Sequence, residues 1–373
     1  MISRSRLTSA ILMAITLFGI CALGEEARIS GTRPFLLGFT RWPADLNLEG
    51  FLTAQDFAHE HGDIVSVMFI GGIPWPESLD NKPFSQDVEN NLRYRPPAGK
   101  RLFLSISPLN KDRSDLAPYW GTKDNLPLSK PWSGLPLDSP QVKQAFLAFT
   151  LRAVQAMKPD FLAIGIESNV LLSKNPVKWG QLKELHRATY VEVKREHPNL
   201  PVCFTTEVLH YRKLASEARG KDQEGEVADL MRHSDLFAMS IYPHMTYDLP
   251  RPIPADLLDF AHKFGKPLAV AESGMTSRDV ELKAFKLTLR GSDADQQQFT
   301  ELLLKTAARD NYDFVINFAT TDFERLCEKL PPPIDDLARI WAYTGMQTSD
   351  KKPKPALETW DAWLHAKYQR LHP

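Results

Sequence analysis

Cysteine is nearly absent from this chain, which carries only Cys21, Cys203 and Cys327 among 373 residues. Cys21 falls in an N-terminal segment that reads as an export signal, and the other two are too few for a disulfide framework even in an oxidising compartment. Cys203 opens an apolar run and is expected to be buried. Cys327 follows the last strand-like run, too far around the expected fold for the two to bridge. Also missing are a Cys/His spacing suited to zinc, a glycine-rich phosphate loop and a Gly-x-Ser-x-Gly elbow, so metal, nucleotide and serine chemistry lose ground and no cofactor is expected. There is no concentrated run of Lys and Arg, and the net charge is -1. Nothing draws the chain toward nucleic acid or an anionic membrane, and a neutral substrate fits that balance.

What is present is apolar content of 43% in a chain long enough for a large core. A strand-and-helix barrel needs about 250 residues as one domain, so one domain is the default. Arg4 and Arg6 precede an uncharged stretch over 7–24 that ends before Glu25 and Glu26. This is the pattern of a signal peptide over 1–24, with the mature domain at 25–373 and a periplasmic or secreted location. The uncharged run approaches the roughly 18 residues of a membrane span, so an uncleaved N-terminal anchor is the alternative.

Eight short apolar runs alternate with amphipathic stretches, at 35–40, 64–70, 102–106, 161–165, 202–206, 236–241, 268–271 and 314–318. Alternation of this kind predicts strand–helix units on a parallel sheet, and eight of them predict a (β/α)8 TIM barrel, an α/β fold. Apolar spacing predicts helices over 141–157, 177–196 and 293–308, a shorter one over 254–264 and a closing helix within 350–363. The Pro- and Trp-rich stretch 108–140 is too long for an ordinary connection and reads as a site-building loop, with disorder as the alternative.

Two runs end in a lone carboxylate. Lys266-Pro-Leu-Ala-Val-Ala-Glu272-Ser-Gly274 is one, and Phe161-Leu-Ala-Ile-Gly-Ile-Glu167-Ser-Asn169 is the other. In one parallel barrel their C-terminal ends share a face, so Glu167 and Glu272 are expected to confront each other across a cleft. Paired carboxylates are the equipment of glycoside hydrolysis. Sugar clefts combine aromatic planes with fixed polar groups, and Trp42, Trp75, Trp120 and Trp132 all follow strands on that face. Arg41, beside Trp42, is a candidate for a carboxylate or a substrate hydroxyl, and Glu207, closing Thr205-Thr-Glu207, is a second-rank candidate.

Four stretches resemble the retaining barrel glycosidases of clan A, most nearly the endo-β-1,4-galactanases of family 53. Ile164-Gly-Ile-Glu-Ser-Asn169 resembles the strand-four motif Ile-Gly-Asn-Glu-x-Asn, and Asp235-Leu-Phe-Ala-Met-Ser-Ile-Tyr-Pro-His244 the strand-six Tyr-Pro segment. The segment from Gly265 to Gly274 resembles the strand-seven nucleophile motif, and that from Gly345 to Trp360, with Lys354-Pro-Ala356, the family's closing stretch. The resemblance covers strands four to eight and implies Glu167 as acid/base, Glu272 as nucleophile and Tyr242 as a donor to Glu272. Environment is then expected to raise the proton affinity of Glu167 and keep Glu272 ionised.

Two departures stand out. Ile166 occupies the place of the Asn that bonds the sugar 2-hydroxyl, leaving Asn169 or another polar group to supply that contact. Strand eight ends in Asn317-Phe318 in place of a tryptophan platform. Asn169, Tyr242, Glu207, His244, Arg41, Trp42, Trp75 and Asn317 are the candidate substrate contacts. The expected function is an exported retaining glycoside hydrolase acting on a neutral β-linked saccharide. A carbohydrate-binding protein on a degenerate barrel is the alternative, and an inverting enzyme, needing carboxyls roughly 6.5 to 9.5 Å apart, is a third reading.

Overall fold

The computed structural model describes residues 31–370, so the expected signal or anchor at 1–24 lies outside the described residues. Eight strand positions form the barrel: β1 (Leu36–Thr40), β2 (Ile64–Phe69), β3 (Arg101–Ile106), β4 (Phe161–Ala163), β5, β6 (Phe237–Ile241), β7 (Leu268–Ser273) and β8 (Phe314–Asn317). β5 comes in two pieces, Val202–Cys203 and Thr205–Glu207. The first piece pairs with β4 and the second with β6, while β8 pairs in parallel with β1, so the ring closes through the chain itself at Phe204. This is the (β/α)8 architecture that the alternation predicts.

Helices return the chain between strands: α1 (Leu48–Glu60), α2 (Gln86–Leu92), α3 (Pro140–Met157), α4 (Pro176–Glu196), α5 (Glu224–Met231) and α6 (Asp293–Arg309), with α7 (Pro355–Leu364) closing the barrel. Their starts are written locally. Asn47, Ser85, Ser139, Asn175 and Ser292 each accept a bond from a first-turn amide of the helix they precede, satisfying a donor the helix cannot. The expected helix over 254–264 is instead turns followed by a 3-10 helix, Asp259–Phe264. Leu258, Ala261 and Phe264 recur every three residues, the 3-10 period, and Phe264 stacks on Phe237 of β6 with ring centroids 4.5 Å apart. Among the described residues no helix is long and apolar enough to cross a membrane.

The strands' period of two sorts side chains into two layers. Leu36, Ile64, Phe103, Phe161, Cys203, Ala269, Ala271, Phe314 and Ile316 fill the barrel interior. Their neighbours Leu37, Val65, Leu104, Leu162, Phe204, Val270 and Val315 are likewise buried, those of β1, β3, β4, β5, β7 and β8 in the larger core shared with the helices. Burying each of these large side chains contributes about 1.5 to 3 kcal/mol. At Gly38 a Cβ would lie 1.9 Å from the carbonyl oxygen of Ile64, so only glycine lets β1 approach β2 here. Cys203 and Cys327 are both buried free thiols.

The segment 108–140 is folded rather than disordered. Trp75 donates to the Ala117 carbonyl at 2.9 Å and its ring lies 5.6 Å from that of Trp132, while Trp120 donates to Asp87 at 2.7 Å. The buried indoles of Trp75, Trp120 and Trp132 tie this loop into the large core shared by strands and helices, Trp120 packing on Phe69 and Phe149. Trp120 also borders a cavity at the ends of β1 and β2, while Trp75 and Trp132 lie away from it; a long loop on the barrel's rim has to bury apolar surface to stay ordered.

Candidate active site

Unbroken alternation along β7 would aim Glu272 away from the barrel axis, because Ala269 and Ala271 both point inward. A register shift intervenes: Met239 of β6 pairs with Val270, but the next residue, Ser240, pairs with Glu272. The extra residue, Ala271, makes a β-bulge that turns Glu272 onto the inner face beside Ser240. β4 needs no such device, since Phe161, Ala163, Gly165 and Glu167 fall on one parity. Its regular part stops at Ala163, yet the Ile164 amide still bonds to Cys203 and the Thr205 amide to the Gly165 carbonyl, carrying the strand direction up to the carboxylate.

Glu167 adopts φ +49°, the left-handed region that non-glycine residues rarely enter. Such a backbone costs about 1 to 3 kcal/mol and persists where its surroundings hold it. The Glu167 amide donates to Thr205 Oγ1 at 2.7 Å, and the Ser168 amide to the Thr205 carbonyl at 3.0 Å. The Glu167 carboxylate accepts from Ser240 Oγ at 2.7 Å and from Arg113 Nη2 at 3.2 Å. Ser240 therefore touches both halves of the pair, Glu272 through strand register and Glu167 through its hydroxyl. Tyr242, two residues on along β6 and on the same face, donates its phenol to Glu272 Oε1.

Burial comes first, and the Glu167 charge second, in pushing the Glu272 carboxyl up to about 8; the bond from Tyr242 and the charge of Arg113 act the other way. Burial and the Glu272 charge likewise raise the Tyr242 phenol, keeping it a donor. In the substrate-free chain Glu272 is pushed toward the protonated state, chiefly because it is buried; Glu167 is ion-paired with Arg113.

Other candidates divide. Trp42 remains partly exposed at the rim, its ring 5.3 Å from Phe318, which also faces Tyr242 and Trp341, so Phe318 belongs to an aromatic wall above β8. Arg41 lies over the Tyr94 ring at 3.5 Å and donates to Gln55 at 3.1 Å; burial lowers its guanidinium to about 10. Arg41, Trp42, Met68 and Lys111 line a cavity of about 430 Å³ at the ends of β1 and β2. Glu167 and Glu272 are not in its lining.

Four further candidates are bonded within the surrounding structure. Asn169 is fully buried, donating to the Glu207 carbonyl at 3.0 Å and to Gln223 at 2.8 Å and accepting from the Glu207 amide at 2.7 Å. It cannot replace the amide missing at Ile166, since its polar atoms are committed. Glu207 caps the turn of helix Val208–Tyr211 and binds His210, whose imidazole is lowered by burial but raised more by its bonds to Glu207 and Glu217. Asn317 donates to the carbonyls of Ala319 and Thr344. His244 bonds the Ile340 carbonyl at 2.9 Å, and burial takes it down to about 4, so it is neutral with its Nε2 proton on that carbonyl. Glu207 still acts on Glu272 through its charge.

Sequence reasoning missed Arg113, Ser240 and Thr205. Ser240 was within reach, lying two residues before Tyr242 on one strand. Arg113 meets Glu167 across 54 positions, which no local spacing shows. The Lys354-Pro-Ala motif also acquires a role: buried Lys354 donates to Asp322 at 2.6 Å and Ser277 at 2.9 Å, tying the closing helix to the loop after β8.

No protein-family model matches the sequence, and no curated protein matches it in sequence. Solved structures do match in three dimensions. A GH5_18 enzyme variant from Streptomyces cattleya in complex with Manβ1-4GlcNAc is 13% identical with a TM-score of 0.60, over 91% of this chain and 82% of that one. The shared fold is the (β/α)8 barrel. A structure of two fungal β-1,4-galactanases matches over 82% of this chain and 90% of that one, at 12% identity and a TM-score of 0.51. A calcium-binding mutant of Bacteroides uniformis β-glucuronidase 2 matches at 12% identity and a TM-score of 0.54, and this chain spans 34% of its length. At such identities the likeness to these glycosidases is one of fold.

Proposed function

We propose that this chain is an exported, periplasmic or secreted, retaining glycoside hydrolase acting on a neutral β-linked oligo- or polysaccharide. The observation that carries the reading is the β7 bulge, with Ser240 joining Glu272 and Glu167 on one inner face of a glycosidase barrel. Glu167 serves as acid/base and Glu272 as nucleophile. Burial and the neighbouring Glu167 charge favour a proton on Glu272 at neutral pH in the substrate-free site. As positive charge develops at the anomeric carbon it favours the Glu272 anion, so the proton is needed on Glu167, which gives it to the departing glycosidic oxygen while Glu272 bonds the sugar. Water then attacks the glycosyl ester, Glu167 takes its proton and Glu272 leaves as carboxylate. Tyr242 steadies Glu272 through both steps.

A second reading, a carbohydrate-binding barrel without turnover, is favoured by the Arg113 pair on Glu167 and by Asn169 being committed elsewhere. The test is a screen of aryl β-glycosides and plant or microbial polysaccharides with wild type, Glu167→Ala and Glu272→Ala, following the first-formed anomer by NMR. Hydrolysis with retained β configuration, lowered by roughly 10²- to 10⁴-fold in each variant, is expected. An inverted product overturns the double displacement. Oligosaccharide binding without product, equal in all three proteins, establishes the second reading.

A further inference from the structure

We infer that Arg113 is a positioning residue of this site, the counter-charge that lets Glu167 and Glu272 stand side by side. The inference rests on the glycosidase reading only for its catalytic consequence. Arg113 sits at the tip of a tight loop closed by a bridge between Leu109 and Leu116, and it takes φ +53°. Asn110 builds that loop, accepting from the Ser114 amide at 2.9 Å through its side chain and from the Arg113 amide at 2.9 Å through its carbonyl. Lys174, following β4, anchors it by donating to the Asp112 carbonyl at 2.6 Å.

The guanidinium is held at both ends. Nη1 donates to the Lys111 carbonyl at 2.9 Å, Nη2 reaches Glu167 at 3.2 Å, and the side chain is only 9% exposed. Arg can be fixed this way because its planar fork offers several donors in set directions. The groups facing Glu272 are Glu167 from β4, Glu207 from β5, Tyr242 from β6 and Arg113 from the β3 loop. Two of these are acids and one a neutral phenol. Arg113 is the cation among them, paired with Glu167 at 3.2 Å, and it opposes the effect of the two acids on Glu272.

The test is carboxyl ¹³C NMR of the full chain labelled at glutamate Cδ, with the Glu272 signal assigned by its loss in Glu272→Gln. Arg113→Gln, which keeps a polar side chain but no charge, is expected to move the Glu272 titration upward by about one pH unit or more. Arg113→Lys is expected to hold it near the wild-type position, since the charge remains. On any substrate found by the screen, the pH profile of kcat/KM should move in the same direction in Arg113→Gln. A folded Arg113→Gln with an unmoved Glu272 titration overturns the inference. If that variant does not fold, an Arg113→Lys titration displaced as far as the deletion of a charge would displace it overturns it equally. Because the NMR titration needs no substrate, a shifted signal in an inactive chain sinks the hydrolase reading alone, and an unshifted signal in an active chain sinks this one alone.

Discussion

Replacing Glu272 by Gln should change not the size of the folded chain's stability alone but its dependence on pH. The carboxyl stands at about 8 in the fold against an ordinary 4.5, raised first by burial and then by Glu167. A carboxyl whose folded value is raised contributes its full stability below the unfolded value and loses it as pH climbs through the folded one. The window therefore runs from 4.5 to about 8. One pH unit corresponds to about 1.4 kcal/mol, so the upper limit over this window is near 5 kcal/mol, and roughly 3 to 5 kcal/mol is the expected loss in wild type. Glutamine has no proton to release and still accepts from Tyr242. Urea unfolding of both proteins at intervals across the window should show the variant gaining on wild type by that amount as pH rises. Curves that stay parallel within a few tenths of a kcal/mol would refute the claim that Glu272 is buried against a like charge.

Two further outcomes concern the frame around the site. Lys354→Met leaves Asp322 buried without its cation, and removal of one partner of such a pair costs about 3 to 5 kcal/mol. Burial already holds the Asp322 carboxyl up at about 7 beside the lysine, so the loss should be smaller at pH 5 than at pH 8, as read by denaturant midpoints. Trp75→Ala should cost about 3 to 5 kcal/mol while leaving oligosaccharide affinity unchanged in calorimetry, because Trp75 is fully buried in the core shared by strands and helices. A weakened affinity in a folded variant would return Trp75 to the cleft.

The barrel was legible because its signal is local and repeated. Each strand is a short apolar run, each long helix carries its cap one residue ahead, and eight repetitions leave few other ways to bury the strands. The 3-10 segment Asp259–Phe264 was not legible, since its spacing of three is nearly that of an α-helix in so short a stretch. The tryptophans were legible only in position. Sequence places Trp75, Trp120 and Trp132 on the correct rim of the barrel, but whether a ring faces the cleft or its own loop depends on contacts with Ala117, Asp87 and each other. Asn169 and Glu207 were chosen for polar chemistry, and they use it on one another.

By itself, then, the sequence determined the repeating strand and helix order, the caps, and two strands that run out into glutamates, all of which follow from periodicity along the chain. Only the tertiary structure decided that Glu272 faces inward, because a bulge is a mismatch between two strands and cannot be seen in either one. The same holds for Arg113, whose partnership with Glu167 is made by a loop folding back over the barrel mouth. It holds too for the raised proton affinity of Glu272, since burial and neighbouring charge are properties of the space around a group and not of its place in the chain.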